Sequence, residues 1–264
     1  MPVSTSLFLL VALAASGESR MTEDQSVLSR PAPKPDATVA YGPDRDQIAD
    51  LRYGKATEPL LILIHGGFWR PAYDRAHTGP MADALARESW TVASIEYRRI
   101  PGNPEATLGD VALALAKLPG MVDRHDGRVI LIGHSAGGHL VLWLAAAHDR
   151  HELAGVVALA PAADLQLADR LNLGSGAVRA FLGGDPEGHA AADPVRLPTP
   201  RAPITIVHGN EDDTVPLEVA RAYVTRHPST RLVALPDTGH FAVIDPLSAA
   251  WANVVAEVRR FSAR

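Results

Sequence analysis

Six short apolar runs alternate with amphipathic segments along most of the chain. Each run is continuously apolar, which is typical of strands that are buried on both faces of a parallel sheet. The runs lie within PLLILIHGG (59–67), WTVASIEY (90–97), RVILIGHS (128–135), AGVVALAPA (154–162), APITIVHGN (202–210) and TRLVALPDTGH (230–240). These runs predict six strands of one sheet.

Helical spacing of apolar residues fills the intervals between these runs. The helical segments are the second half of DRAHTGPMADALARESW (74–90), then PEATLGDVALALAKL (104–118), GGHLVLWLAAAHD (137–149), PLEVARAYVTRH (216–227) and PLSAAWANVVAEVRRF (246–261). The last two open with proline, which favours the first helical position. Alternating strands and helices predict an α/β fold, with a mostly parallel central sheet and helices on both faces.

Two stretches depart from this alternation. Residues 22–40 are polar and contain RPAPKPD, which predicts an extended, poorly ordered lead-in. Residues 161–200 are rich in Pro, Gly, Ala and Asp, and they predict short helices without a strand. In an open α/β sheet such an insertion often forms a wall or lid over the site. We therefore expect a signal-like or disordered segment over 1–40 and one domain over 41–264, with a lid at 161–200.

The first twenty residues allow two interpretations. LFLLVALAA (7–15) resembles the apolar core of a signal peptide, but no Lys or Arg precedes Arg20. Alternatively, Met21 is the true start of the protein. The apolar run is too short to span a bilayer, so no stable membrane span is expected. The expected location is the cytoplasm, or outside the cell if residues 1–20 act as a signal peptide.

Composition narrows the class of protein. The chain has 264 residues and a net charge of −5, and it shows no Lys/Arg stripe that would serve nucleic acid. It has no cysteine, which excludes disulfides, thiolate nucleophiles and cysteine metal sites. The histidines of HSAGGH (134–139) lack the spacing of a metal pair, and no phosphate-binding loop is present, so no metal is expected. The oligomeric state is not fixed by the sequence.

GHSAG (133–137) is the first candidate for chemistry. It matches G-x-S-x-G between a predicted strand and a predicted helix, the context in which the motif exposes a nucleophilic serine on a sharp turn. Gly133 and Gly137 supply the small neighbours that such a turn needs. Ser135 is therefore the candidate nucleophile; alternatively, it only caps the following helix.

HGGFW (65–69) follows the first predicted strand. Consecutive glycines let backbone N–H groups approach a ligand, as the oxyanion of acyl transfer requires. We expect the N–H groups of Gly66 and Gly67 on one side of an oxyanion hole and that of Ala136 on the other. The alternative is a plain Gly-Gly turn.

A nucleophilic serine needs a base and an acid that orients the base. His240 follows the last predicted strand and is the candidate base, whereas His65, His134 and His139 are expected to be structural. Of the three candidate acids, Asp212 follows the preceding strand and is favoured. The other two are Asp213, which instead suits a helix cap, and Asp237, which suits a rim position.

The motifs together resemble the α/β-hydrolase superfamily. The resemblance rests on HGGFWR (65–70), GHSAGGHLVLWLAA (133–146), HGNEDDTVP (208–216) and DTGHF (237–241), and it extends over residues 50–262. Within the superfamily, HGG-x-W with GHSAG is similar to the kynurenine formamidase and small-esterase branch. The resemblance implies a Ser–His–Asp hydrolase of esters or amides that needs no cofactor.

The resemblance also implies roles for single residues. Ser135 would attack the carbonyl, His240 would take and return the proton, and Asp212 would hold the imidazole. Trp69, with Phe68 beside it, would line the substrate pocket, although Trp69 also suits an ordinary core position. Phe68 replaces the third glycine of the lipase-like HGGG pattern, so esters of bulky or tertiary alcohols are not expected as substrates.

The expected partner is a small-molecule ester or amide, and four functions stay open. The first two are an arylformamidase acting on N-formylkynurenine and a general carboxylesterase. A peptidase-like hydrolase is the third, although the chain has no room for a gating domain. The fourth is a ligand-binding protein that has lost its chemistry, because fold alone does not fix function.

Overall fold

The computed structural model describes residues 23–148 and 153–263. Its centre is an eight-stranded sheet with strand order β1-β2-β4-β3-β5-β6-β7-β8. The strands are β1 (Ala37–Ala40), β2 (Ile48–Arg52), β3 (Leu60–Ile64), β4 (Thr91–Ile95), β5 (Val129–His134), β6 (Leu153–Leu159), β7 (Ile204–Gly209) and β8 (Arg231–Leu235). The six predicted strands are β3 to β8, so the predicted α/β fold with a mostly parallel sheet is confirmed.

Strand direction divides the sheet into two parts. From β4 through β3 to β8 every pair is parallel, whereas β2 is antiparallel to both β1 and β4. β3 is fully buried, and its side chains alternate between two apolar clusters on opposite faces of the sheet. Burial on both faces is the physical reason for its continuous apolar run.

Seven α-helices are present in the described residues. They are α1 (Gly79–Arg87), α2 (Pro104–Met121), α3 (Ala136–Ala147), α4 (Leu165–Arg170), α5 (Ala177–Leu182), α6 (Leu217–Arg226) and α7 (Trp251–Ser262). Apolar residues of α2, α3 and α6 pack on one face of the sheet, and those of α1 and α7 pack on the other. Helices therefore cover both faces, as predicted.

The start of the chain differs from the expected poorly ordered lead-in. Residues 37–40 form β1 at the edge of the sheet, and Val27 is 1% exposed within the core. The predicted signal-like stretch within residues 1–20 lies outside the described residues. No helix within 23–148 and 153–263 combines the length and apolar character that crossing a bilayer requires.

The predicted proline starts of the last two helices are wrong by one to several residues. Pro216 is the N-cap of α6, which begins at Leu217, and α7 begins at Trp251, well after Pro246. The residues just after Pro246 form a turn, in which Ser248 N–H bonds to Asp245 O and Trp251 N–H to Ser248 O.

The 161–200 segment contains α4, α5 and short 3₁₀ turns, with no strand in it. Its backbone is fastened to the rest of the domain. The N–H of Gly102 donates to Ala180 O at 2.8 Å, and a β-carbon built on Gly183 would come 2.8 Å from Gly102 Cα. Trp143 Nε1 donates to Ala191 O at 2.8 Å on the α3 side. These contacts tie the segment to the rest of the domain, and its role as a wall or lid over the site stays a prediction.

Candidate active site

Ser135 lies on the turn between β5 and α3. Its backbone has φ 56° and ψ −116°, a left-handed conformation that is uncommon for a residue with a side chain. Its N–H donates to Leu159 O at 2.8 Å, which ties the turn to the neighbouring β6. Strain of this kind costs of order 1–3 kcal/mol and tends to occur at functional sites.

The glycines around Ser135 have a steric reason. A β-carbon on Gly133 would lie 2.1 Å from Gly137 O, and one on Gly137 would lie 2.1 Å from Ile64 O. The turn therefore folds tightly only because both positions lack side chains. Ala136 is the first residue of α3, and the first N–H groups of a helix have no partner within it. This is the position predicted for one oxyanion donor.

His240 and Asp212 form a buried hydrogen-bonded pair. His240 Nδ1–H donates to Asp212 Oδ2 at 2.7 Å, and the two residues are 1% and 4% exposed. Asp212 follows the end of β7, and His240 follows the end of β8. An imidazole held through Nδ1 keeps its Nε2 for proton transfer, which is the arrangement of a base and its orienting acid.

Three further groups hold Asp212 in place. Its Oδ1 accepts the N–H groups of Thr214 at 2.9 Å and Val215 at 2.7 Å. His208 Nε2 donates to Val215 O at 2.8 Å and lies 3.3 Å from Asp212 Oδ2. Burial alone would raise the pKa of Asp212, but hydrogen bonds from His208 and His240 outweigh burial and hold the pKa well below its usual range.

The other two candidate acids are exposed. Asp213 follows Asp212 but faces solvent, and α6 begins without a side-chain cap. Asp237 is exposed in a left-handed turn with φ 48°. Of the three aspartates, the structure brings Asp212 to His240. The N-cap of α6 is Pro216, not Asp213.

His134 joins the serine turn to the histidine loop. Its Nε2–H donates to His240 O at 3.0 Å, and the centres of the two rings are 4.6 Å apart. Burial, together with the positive charge of a protonated His240, lowers the pKa of His134, so it stays neutral. Its contact places His240 beside the residue that precedes Ser135. This is the structural role that was expected of His134.

The HGGFW loop lies against the same turn. A β-carbon on Gly66 would come 3.0 Å from Ser135 Cβ, so the backbone at this position touches the serine. Gly67, Phe68 and Trp69 all have positive φ, at 110°, 52° and 54°. Three successive residues in this region form a strained loop that the sequence pattern did not reveal.

The buried carboxylate of Glu96 is linked to this loop through His65. His65 Nδ1–H donates to Gly66 O at 2.7 Å, and its Nε2 lies 3.0 Å from Glu96 Oε1. Because the carbonyl and N–H of one trans peptide point in opposite directions, the N–H of Gly67 is directed away from His65. Glu96 also binds Arg99 and accepts the backbone N–H of Arg75 at 3.1 Å.

Glu96 was missed by the sequence analysis, and it makes a testable contribution. Burial would raise its pKa, but His65 and Arg99 outweigh burial and lower the pKa to about 2 from 4.5. A lowered carboxyl pKa stabilises the fold above the unfolded value and loses this effect as pH falls toward the folded value. We expect Glu96→Gln to reduce the free energy of unfolding by about 3 kcal/mol at neutral pH.

Urea denaturation of the parent and Glu96→Gln at several pH values measures this effect. The difference between them should shrink as pH falls from about 4.5 to about 2, the window set by the two pKa values. Glu88→Gln, which breaks a surface pair with Arg259, is the control and should cost no more than about 1 kcal/mol. Equal losses in the two variants would contradict a structural role for Glu96.

The predicted pocket residues lie in different surroundings. Phe68 is partly exposed, and a β-carbon on Gly174 would come 2.7 Å from its ring. Trp69 is 3% exposed, stacked on Phe181 at 4.7 Å, and edge-on to His139 at 5.2 Å. These contacts match the core alternative for Trp69, and its role toward substrate stays a prediction.

His139 belongs to the framework around this site, as expected. It donates from Nε2 to Ala192 O at 2.8 Å, and burial lowers its pKa to about 4. Across the described parts of the chain, no group of three or more His, Asp or Glu side chains is placed to hold a metal ion.

Comparison with known proteins identifies the family. A profile of the BD-FAE family matches residues 48–226. The chain belongs to the BD-FAE family. The match begins at β2 and ends with α6, so this BD-FAE region includes Ser135 and Asp212 but not His240.

Relatives of this BD-FAE chain include esterases. Esterase LipC of Mycobacterium tuberculosis (strain ATCC 25618 / H37Rv) is 27% identical over 252 residues, which cover 78% of this chain and 60% of LipC. LipM of the same organism, whose name describes a carboxylic ester hydrolase, is 28% identical over 199 residues, 64% of this chain and 44% of LipM. The chain thus spans about half the length of these curated relatives.

Solved structures share the fold. Esterase B of Lactobacillus rhamnosis (HN001) superposes with a TM-score of 0.73 at 20% identity, covering 90% of this chain and 89% of that protein. The resemblance to α/β-hydrolases of the esterase type is therefore confirmed at the level of fold.

Proposed function

We propose that the protein is a serine hydrolase that cleaves small carboxylic esters through an acyl-enzyme. The single observation that carries this proposal is the buried pair of His240 and Asp212, with Nδ1 and Oδ2 2.7 Å apart, next to the strained Ser135 turn. Esterase names among the relatives support the same chemistry. The strand–turn–helix context of Ser135 adds the position of a nucleophile.

The residues have separate roles in the proposed reaction. Ser135 Oγ attacks the ester carbonyl while His240 Nε2 takes its proton, and the same proton then goes to the leaving alcohol. Water then attacks the acyl carbonyl while His240 takes its proton. His240 returns this proton to Ser135 Oγ as the acyl–Ser135 bond breaks and the acid leaves. Asp212 stays ionised throughout, because its lowered pKa keeps it a carboxylate, and it stabilises the imidazolium that forms in each half-reaction.

The proposed oxyanion hole uses the N–H groups of Gly66, Gly67 and Ala136. Two observations support it: the backbone of Gly66 touches the Ser135 turn, and Ala136 opens α3. The positive end of the α3 dipole favours the negative charge that develops on the substrate oxygen. Removing one such donor typically costs about 10²–10³ in rate.

An aryl formamide, with N-formylkynurenine as the specific case, is the second candidate substrate. It depends on the HGG-x-W motif, in which Trp69 would line the pocket. The stacking of Trp69 on Phe181 leaves less of the indole for a substrate ring, which favours the ester. A peptidase-like activity and a purely ligand-binding role have no specific observation in their favour.

Paired kinetics test the substrate. We expect kcat/KM for p-nitrophenyl acetate to exceed that for N-formylkynurenine, with Ser135→Ala as the control for enzymatic turnover in both assays. A strong preference for the formamide that is lost in Ser135→Ala would instead make the protein an arylformamidase. Binding of either compound without turnover in the parent would leave the ligand-binding role.

A further inference from the structure

The first described residues pack onto the loop that carries His240. We call residues 23–30 the N-terminal strap. Glu23 Oε1 accepts the N–H of Phe241 at 2.5 Å. A β-carbon on Gly239 would come 2.4 Å from the same oxygen, so the carboxylate rests on the backbone on both sides of His240.

Two anchors hold the N-terminal strap in this position. Val27 is 1% exposed and belongs to the same apolar cluster as Val243 and Ile244, which follow the histidine loop. Arg30 binds both carboxylate oxygens of Asp245, with Nη2 at 2.9 Å from Oδ2. The strap is therefore fixed to residues 243–245 as well as to the loop itself.

The Glu23 carboxylate lies against the backbone of the loop that carries His240. Burial raises the pKa of Glu23. The N–H of Phe241 and the charge of His240 lower this pKa, whereas the charges of Asp212 and Asp213 raise it further. On the strap itself, Asp24 is exposed and binds Ser26, and Arg30 is neutralised by Asp245. Among these groups, Glu23 is the strap charge that contacts the histidine loop.

We propose that Glu23 is a positioning residue for His240, holding the histidine loop through Phe241 and adding a second negative charge beside the imidazole. This inference rests on the proposed function, in which His240 becomes an imidazolium during each half-reaction. A fixed carboxylate near that cation lowers the energy of the charged state. Asp212 supplies the main effect through its direct hydrogen bond, and Glu23 adds to it from the opposite end of the chain.

Glu23→Gln separates charge from hydrogen bonding, because glutamine keeps an acceptor for the N–H of Phe241. We expect kcat for p-nitrophenyl acetate to fall about two- to fivefold, the size of a partly exposed charge effect, with KM unchanged. The acid limb of the pH profile of kcat/KM should move to lower pH, since less negative charge favours the neutral imidazole. Asp24→Asn, which removes a charge one residue away, should match the parent in kcat, in KM and in the position of the acid limb.

A measurement without substrate keeps this test independent of the proposed function. The proton on His240 Nδ1 gives a downfield signal in one-dimensional ¹H NMR, assigned by its loss in His240→Ala. We expect this signal to shift in Glu23→Gln and to stay in place in Asp24→Asn. If the parent hydrolyses no ester but the His240 signal still shifts in Glu23→Gln, the proposed function fails and the positioning role stands.

Unchanged kinetics, pH profile and NMR signal in Glu23→Gln would overturn the proposal. A loss of activity with an unshifted acid limb and an unshifted signal would also overturn it, since that pattern marks a merely structural contact. Thermal unfolding of both variants, followed by circular dichroism, confirms that each comparison is made on folded protein.

Discussion

Ser135→Ala should lower kcat for ester hydrolysis by about 10⁵-fold or more while the protein stays folded. Losses of this size follow when the nucleophile of a triad is removed, because only binding and the oxyanion hole then remain. Turnover of p-nitrophenyl acetate and labelling by a fluorophosphonate probe measure the effect. Both signals should disappear together in the variant.

Ser89→Ala is the matched control for this experiment. Ser89 also has positive φ, at 88°. It lies just before the amino end of β4, whereas Ser135 follows the carboxyl end of β5, so the two serines lie at opposite ends of the parallel strands. Its replacement should leave kcat within about twofold of the parent, as for a substitution that touches no reacting group. Parental turnover in Ser135→Ala would show that another residue supplies the nucleophile.

Ser135→Gly adds a test of the strained turn. Glycine adopts φ near 56° without steric cost, so this variant should be inactive and more stable than Ser135→Ala by about 1 kcal/mol. Urea denaturation of the two variants measures the difference. Equal stability would show that the turn holds no strain that glycine can release.

Asp212→Asn should lower kcat by about 10⁴-fold, the second large effect. An amide at this position fits the same space, but it lets the imidazole adopt the tautomer that cannot accept the serine proton. In the parent, His208 Nε2 lies 3.3 Å from Asp212 Oδ2. In the variant, His208 does not replace the negative charge that the carboxylate supplied. Steady-state kinetics on p-nitrophenyl acetate measure the loss.

Asp213→Asn is the control that decides between the two neighbouring acids. Asp213 is exposed, so we expect kcat within about twofold of the parent. The opposite result, a large loss in Asp213→Asn and a small one in Asp212→Asn, would assign the acid to Asp213. Asp237→Asn extends the comparison to the third candidate of the sequence analysis.

The central sheet was predictable because its signal is local. β3 to β7 come from mostly apolar runs whose side chains are almost all buried, whereas in the edge strand β8 Leu235 is buried and Arg231 is exposed. β1 and β2 were missed because their side chains are only partly buried in the sheet, as in Ala37–Ala40 of the edge strand β1, where exposed and partly buried positions alternate. β2 is placed in the sheet by pairing with β4, and β1 by pairing with β2; no local pattern encodes either pairing.

The candidate site was predictable to the extent that its residues follow strands. Ser135, Asp212 and His240 each come after an apolar run. Parallel strands bring such positions together at the carboxyl ends of the strands. Their catalytic roles stay predictions. Glu23 was missed because its partner Phe241 is 218 residues away, and Glu96 was missed because the fold brings His65 to it from 31 residues away. His208 stands at the end of a predicted strand, directly before Gly209. This position is the sequence signal from which its contact with Asp212 could have been expected.

The contact between Gly102 and Gly183 sets a limit for directed evolution of this protein. Both glycines have positive φ, at 73° and 77°, and a β-carbon on Gly183 would come 2.8 Å from Gly102 Cα, so Gly183 has no room for a side chain. Most members of a library that randomises Gly183 should therefore be less stable than the parent. Saturation of Phe68, which is partly exposed, leaves this backbone junction intact.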